Sequence, residues 1–167
     1  GLGTVGVLLL CNFGGARLLR IGGVPVGETL VAERDTAPTL DDGGSCIGIV
    51  LTDIPLDARQ CERVARRVGL GLARMGSVAH HGSGDIFLAA STQNRRTRSE
   101  QGFLDIRLVA DMMLDPIFAA AVDATEEAVT LGALTPPREA ALARGLSLEI
   151  SVVLFLVYLL SLLFSLR

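Results

Sequence analysis

Short apolar runs alternate along this chain with glycine-rich or charged breaks. Thr4–Cys11 (TVGVLLLC) is β-branched and aliphatic, apolar on both alternating faces, and predicts a buried strand. Asn12-Phe13-Gly14-Gly15 predicts a turn, Arg17–Ile21 a returning strand, and Gly22-Gly23-Val24-Pro25 breaks that pattern. Arg34–Gly44 (RDTAPTLDDGG) is polar, with Pro38 and a closing glycine pair, and predicts an exposed loop. A strand follows at once, Cys46–Thr52 (CIGIVLT). Asp57 can then cap a helix whose apolar positions Cys61, Val64, Ala65, Val68 and Leu72 recur at three- and four-residue steps. Arg59, Glu62, Arg63, Arg66 and Arg67 cover its other face.

Gly76–Gly84 (GSVAHHGSG) predicts a glycine-serine loop entering a strand at Ile86–Ala90, and Asn94–Gly102 (NRRTRSEQG) a charged, mobile loop. Leu104–Leu131 predicts helix with a break at Pro116, and Ile117–Val129 carries the clearer amphipathic pattern. Pro136-Pro137 ends that region. There is no internal repeat with a period of 20–50 residues. Strands and helices in this mixture predict an α/β or α+β layered fold. Ile150–Leu166 holds no charged residue, and its seventeen positions reach the lower edge of what spans a bilayer. A membrane segment, a buried helix and the product of a shifted reading frame all fit that run.

Composition narrows the function classes. At 167 residues the chain suits one domain, or part of a larger one. Half of its residues are hydrophobic and the net charge is only −3, which excludes intrinsic disorder. An acidic balance with 4% aromatics argues against a nucleic-acid reader. All 15 positive side chains are arginine, so chemistry that needs a Schiff-base or P-loop lysine is excluded. Cys11, Cys46 and Cys61 are scattered, with no CxxC pair, and read as reduced, core-filling thiols of an intracellular protein. No signal peptide precedes the first strand.

The most informative chemistry is Gly43-Gly44-Ser45, directly before a strand. A serine entering a strand from a flexible Asp/Gly loop is what an N-terminal nucleophile enzyme requires. Cutting the Gly44–Ser45 bond would give Ser45 a free α-amine, with an unperturbed pKa of about 7.7–8.0, as a local general base. Glycine before the bond permits the strained backbone that brings the hydroxyl onto its own carbonyl. Gly-Ser turns before strands are also common in proteins that never cut themselves. Two other motifs carry less. The side chains of the adjacent His80 and His81 point opposite ways in an extended segment and have no partner at ligand spacing. Gly69–Gly76 (GLGLARMG) lies at the end of a helix, not between strand and helix as a dinucleotide loop would.

Four motifs in order, GTVGVLLLCNFG, GGSCIGIVLTDIPL, RVGLGLARMGS and HHGSGDIFLAAST, closely resemble the DmpA-type aminopeptidase family. That family includes L-aminopeptidase/D-esterases and β-peptidyl aminopeptidases, and the likeness covers about Gly3 to Val129. It implies an α+β fold, an αββα sandwich resembling Ntn hydrolases and shared with ornithine acetyltransferase. It also implies a precursor that cleaves itself at a Gly–Ser bond, here Gly44–Ser45. Ser45 matches the nucleophile, and Ser83 the serine that hydrogen-bonds the active-site amine or hydroxyl. Asp85 matches a carboxylate that holds this network, and Asn12 an asparagine whose amide serves the oxyanion hole. An amide suits that task because it donates without titrating. Read singly, Ser83 could equally cap its glycine-rich loop, Asp85 form an Asx turn, and Asn12 satisfy a turn.

By this resemblance, residues 1–44 are the end of the family's larger chain, which extends upstream of Gly1. Residues 45–131 are the smaller, nucleophile-bearing chain, and 132–167 a divergent hydrophobic tail unlike the family's usual ending. The expected function is release of N-terminal residues from peptides, amides or esters through an acyl-enzyme, without metal or cofactor. The expected partners are an aminopeptide substrate and further copies in a homo-oligomer of processed chains, in the cytoplasm. An inactive or membrane-tethered fragment, with 150–166 as the tether, is the alternative. Acyl transfer to an amine is a further one, although the related acetyltransferase uses threonine.

Overall fold

A computed structural model describes residues 1–12, 15–33, 44–95, 102 and 105–134. The elements in chain order are β1 (Val5–Asn12), β2 (Arg20–Ile21), β3 (Val24–Pro25), α1 (Gly27–Glu33) and β4 (Gly44–Thr52). They continue with α2 (Ala58–Ala65), α3 (Arg67–Arg74), β5 (Ser83–Ser91) and α4 (Leu114–Leu134). The chain divides into two units, Gly1–Thr130 and Leu131–Arg167. The expected membrane segment 150–166 lies outside the described residues. Among those described, no helix is long and apolar enough to cross a membrane.

The central element is a three-stranded sheet in the order β1-β4-β5. β1 runs antiparallel to β4, with Val5 opposite Thr52 and Asn12 opposite Ser45. β5 runs parallel to β4, from Gly44 opposite Ser83 to Thr52 opposite Ser91. A parallel neighbour requires a crossover connection, and α2 with α3 provides it. On one face, Cys46, Gly48, Val50 and Thr52 of β4 are buried. Val5, Val7 and Leu9 of β1 and Phe87 and Ala89 of β5 share that core with Val64, Val68, Leu72, Leu114, Ile117, Phe118 and Ala121 of the helices. The other face carries Leu8 (66% exposed), Leu10, Leu51, Ile86 and Leu88 (56%), all exposed. The expectation that Thr4–Cys11 is buried on both faces therefore holds for one face among the described residues.

Local chemistry explains the helices. Asp57 accepts a hydrogen bond from the Gln60 N–H (2.6 Å), and the Gln60 side chain accepts one back from the Asp57 N–H, a capping box at the start of α2. The expected single helix is two, joined at Arg66. That residue keeps right-handed helical angles (φ −60°, ψ −18°), so the apolar stripe from Cys61 to Leu72 passes through the joint. A Cβ on Gly48 would lie 2.7 Å from Val68 and 3.1 Å from Phe87, so α3 approaches the central strand only because position 48 has no side chain. Gly71 plays the same part between α3 and α4, where a Cβ would lie 2.8 Å from the Val122 carbonyl oxygen.

Buried Gln60 also donates to the Val109 carbonyl (2.8 Å) and to Asp111 (2.9 Å), while Arg59 and Arg63 pair with Asp111. Arg67 lies over the Phe118 ring, 3.8 Å from its centroid. These contacts tie α2 and α3 to the start of α4.

Two further expectations are corrected, and one element is new. Arg17–Ile21 is not a strand throughout: Ala16–Leu18 is a 3-10 turn, and only Arg20–Ile21 pairs, with Val24–Pro25. α1 had no sequence signal. Pro116 does not break α4, because it sits in the first turn, where its missing N–H has no helical partner to lose. Of the expected charged loop, residues 96–101 lie outside the described residues.

Candidate active site

β4 begins at Gly44, so Ser45 stands at the mouth of the central strand with a neighbour on each side. Asn12, the last residue of β1, is its register partner, and Gly84 is its partner on β5. Since Cys46 points into the helix layer, alternation directs the exposed Ser45 side chain to the open face. There it stands beside Gly84, where a Cβ would lie 3.9 Å from that of Ser45. The absence of a side chain at position 84 keeps that flank of the hydroxyl clear.

Ser83 lies opposite Gly44, so it flanks the Gly44–Ser45 peptide bond from β5. Its hydroxyl donates to Asp85 Oδ1 at 2.8 Å. The Ser83 backbone N–H donates to the His80 carbonyl (2.8 Å), which closes the glycine-rich loop immediately before the strand. Asp85 is exposed and pairs in register with Cys46, on the parity of Phe87 and hence on the helix side of the sheet. The sheet thus brings Asn12, Gly44, Ser45, Ser83 and Asp85 to one end, although they span 74 residues of sequence, 12 to 85. Gly43 lies outside the described residues.

One feature of this end had no signal in the sequence. Cys11 and Cys46 are register partners one rung in from Asn12 and Ser45, and their sulfurs are 3.4 Å apart. Either thiol can donate in this contact, and the hydrogen bond with Cys46 lowers the pKa of Cys11 against the opposing effects of burial and of the Asp85 charge. Cys46 is pushed far above the usual thiol range by that shared proton, then by burial and the nearby charges of Cys11 and Asp85. The two lie 35 positions apart, and only the β1–β4 pairing brings them together. His80 and His81 are exposed. Among the described residues, no three His, Cys, Asp or Glu side chains gather into a possible metal site.

Comparison with known proteins places the chain in a family. Residues 2–141 match the profile of peptidase family S58. The chain is 41% identical over 140 residues to the β-peptidyl aminopeptidase BapA of Sphingosinicella microcystinivorans, covering 76% of this chain and 35% of that protein. Among solved structures, the PH0078 protein of Pyrococcus horikoshii OT3 superposes with a TM-score of 0.68 at 43% identity, over 77% of this chain and 34% of that one. The L-aminopeptidase D-Ala-esterase/amidase of Ochrobactrum anthropi, described as a variant of the Ntn hydrolase fold, superposes with a TM-score of 0.61 at 36% identity. That match covers 76% of this chain and 39% of that one. The chain therefore spans about a third of the length of the relatives it matches, and its α+β fold is that of the Ntn-like serine aminopeptidases. With most of its length matched by one family profile and a relative above 40% identity, this chain belongs to peptidase family S58.

Proposed function

We propose that the protein is a self-cleaving aminopeptidase whose nucleophile is Ser45. The observation that carries this reading is the register of the sheet mouth, which sets Ser45 on the central strand between Asn12 and the Ser83–Asp85 stretch. In the maturation step the Ser45 Oγ adds to the Gly44 carbonyl carbon, and the C–N bond breaks as the amine takes the proton. Water then hydrolyses the resulting ester, leaving a Gly44 carboxylate and a free Ser45 amine. That amine, with an ordinary pKa of about 7.7–8.0, is neutral often enough near pH 7 to accept the hydroxyl proton. Ser83, its hydroxyl bound to Asp85, is assigned to hold the amine in place, and the Asn12 amide to donate to the oxyanion of the tetrahedral intermediate.

The substrate is an amide, ester or peptide with a free amino terminus, as the activities for which the relatives are named suggest. Its acyl group would pass to Ser45 and then to water. The reading includes an oligomer of processed two-chain units, for which the exposed apolar sheet face speaks, and a cytoplasmic location, for which the three free cysteines speak.

The test is intact mass and N-terminal sequencing of the purified protein beside its Ser45→Ala variant. The expected result is two pieces, one starting at Ser45, in the wild type only, together with hydrolysis of aminoacyl nitroanilides that the variant lacks. A single uncut, well-folded chain would overturn the self-cleavage.

A further inference from the structure

Cys11 and Cys46 form the only pair of cysteines in contact among the described residues, and their placement is specific. They are directly opposed across an antiparallel ladder, where Cα atoms lie about 4.5–5.5 Å apart, within the span that a disulfide bridges. Their sulfurs, at 3.4 Å, already face each other, and closing to a bond of about 2.05 Å needs only small side-chain rotations. The two also differ as a redox pair requires. Cys11 is exposed and Cys46 is fully buried, so an oxidant meets one and the other is kept in reserve. The contact with Cys46 lowers the Cys11 pKa and so favours its thiolate, the nucleophilic form. Cys61, by contrast, is buried in part against the helix core and its thiol is pushed up by burial.

We propose that Cys11 and Cys46 form a reversible cross-strand disulfide on exposure to a hydroperoxide, and that in the cleaved protein this bond joins the two product chains one residue from the nucleophile. The second half rests on the self-cleavage proposed above; the first does not. The chemistry balances without a cofactor. The Cys11 thiolate attacks the peroxide, breaking the O–O bond to give a sulfenic acid and an alkoxide or hydroxide, which takes up a proton. The Cys46 sulfur then attacks the Cys11 sulfur and expels hydroxide, which leaves as water with the Cys46 proton. Two thiols are oxidised and one peroxide is reduced. A thiol reductant reverses the step by exchange.

Position gives the bond its consequence. After cleavage at Gly44, Cys46 is the second residue of a new chain, and strand ends fray when nothing ties them down. The disulfide would fasten that end to β1 and hold Ser45 opposite Asn12. Under reducing conditions the same end is held by strand hydrogen bonds and by the packing of Cys46 in the core, with no covalent tie.

The test treats the full protein with hydrogen peroxide, blocks remaining thiols with iodoacetamide, and maps peptides without reductant. The expected result is a single Cys11–Cys46 crosslinked peptide, with Cys61 alkylated in full and the crosslink absent in Cys11→Ser. Reductant restores all three free thiols. Cys11 carried to sulfinic acid while Cys46 stays alkylated would overturn the proposal, as would a crosslink to Cys61. A non-reducing gel separates this proposal from self-cleavage. Pieces that migrate together until reductant is added support both halves, and a crosslinked peptide from an uncut chain supports the disulfide while refuting cleavage. Pieces that separate without reductant after peroxide treatment refute the disulfide alone.

Discussion

Single residues decide how the helix layer is fastened, and Asp111 shows it best. Hydrogen bonding from Gln60 and then from Arg59 holds its carboxyl below the usual carboxylate range. A carboxylate with a lowered pKa in the folded protein stabilises above its unfolded value of about 3.9, and that stabilisation is lost as pH falls through the folded value. Urea melts from pH 7 to pH 3 should therefore show the wild type more stable than Asp111→Asn at neutral pH, with the gap narrowing below about pH 4. A gap independent of pH would mean that the carboxylate's charge plays no part. The Asp57 cap was legible in the sequence because it acts over three residues. Asp111 was not, because its partners lie about fifty residues away on α2. The same limit hid the Cys11–Cys46 contact. Conversely, Ser45 stood out by its own local motif, whereas nothing local distinguished Ser83, Asp85 or Asn12 from turn residues; family resemblance singled them out.

Elements read well where one periodic pattern governed them, and poorly where tertiary packing overrode it. β4, α2 and β5 matched their hydrophobic patterns, but α1 carried no run long enough to be seen, and of the strand expected at Arg17–Ile21 only Arg20–Ile21 formed. Two glycines in one helix offer a test of how packing outweighs propensity. Alanine is favoured over glycine within a helix by about 0.8–1.0 kcal/mol. At Gly69 the added methyl meets only Phe87, 3.4 Å away, so Gly69→Ala should raise Tm. At Gly71 it would strike Thr125 and the Val122 carbonyl, and overpacking of that kind costs about 1–3 kcal/mol. Gly71→Ala should lower Tm, and calorimetry of both variants checks the pair. Equal effects would mean that α3 and α4 do not approach as closely as described.

For the molecule as a whole, one sheet face is packed and the other presents a band of leucine and isoleucine. Contiguous apolar surface of this kind marks an interaction face. The 167-residue chain on its own should therefore enhance the fluorescence of a hydrophobic dye, and Leu88→Glu should weaken that signal while leaving far-UV circular dichroism unchanged. No dye response would mean that something already covers the face. The expectation of an αββα sandwich came from resemblance, and the described residues hold one helix layer on one sheet face; hydrophobic alternation in β1 and β5 could not say which side of the sheet carried the helices.

Ser45 emerges on that same apolar face. Whatever covers the band around Leu10, Ile86 and Leu88 must also form walls near the hydroxyl, so a single set of contacts has two duties. Reshaping those walls for a bulkier substrate would loosen the packing, and tightening the packing would narrow what reaches the serine. On the proposed function, substrate range and durability would then not be independent traits, and selection on either one would move the other.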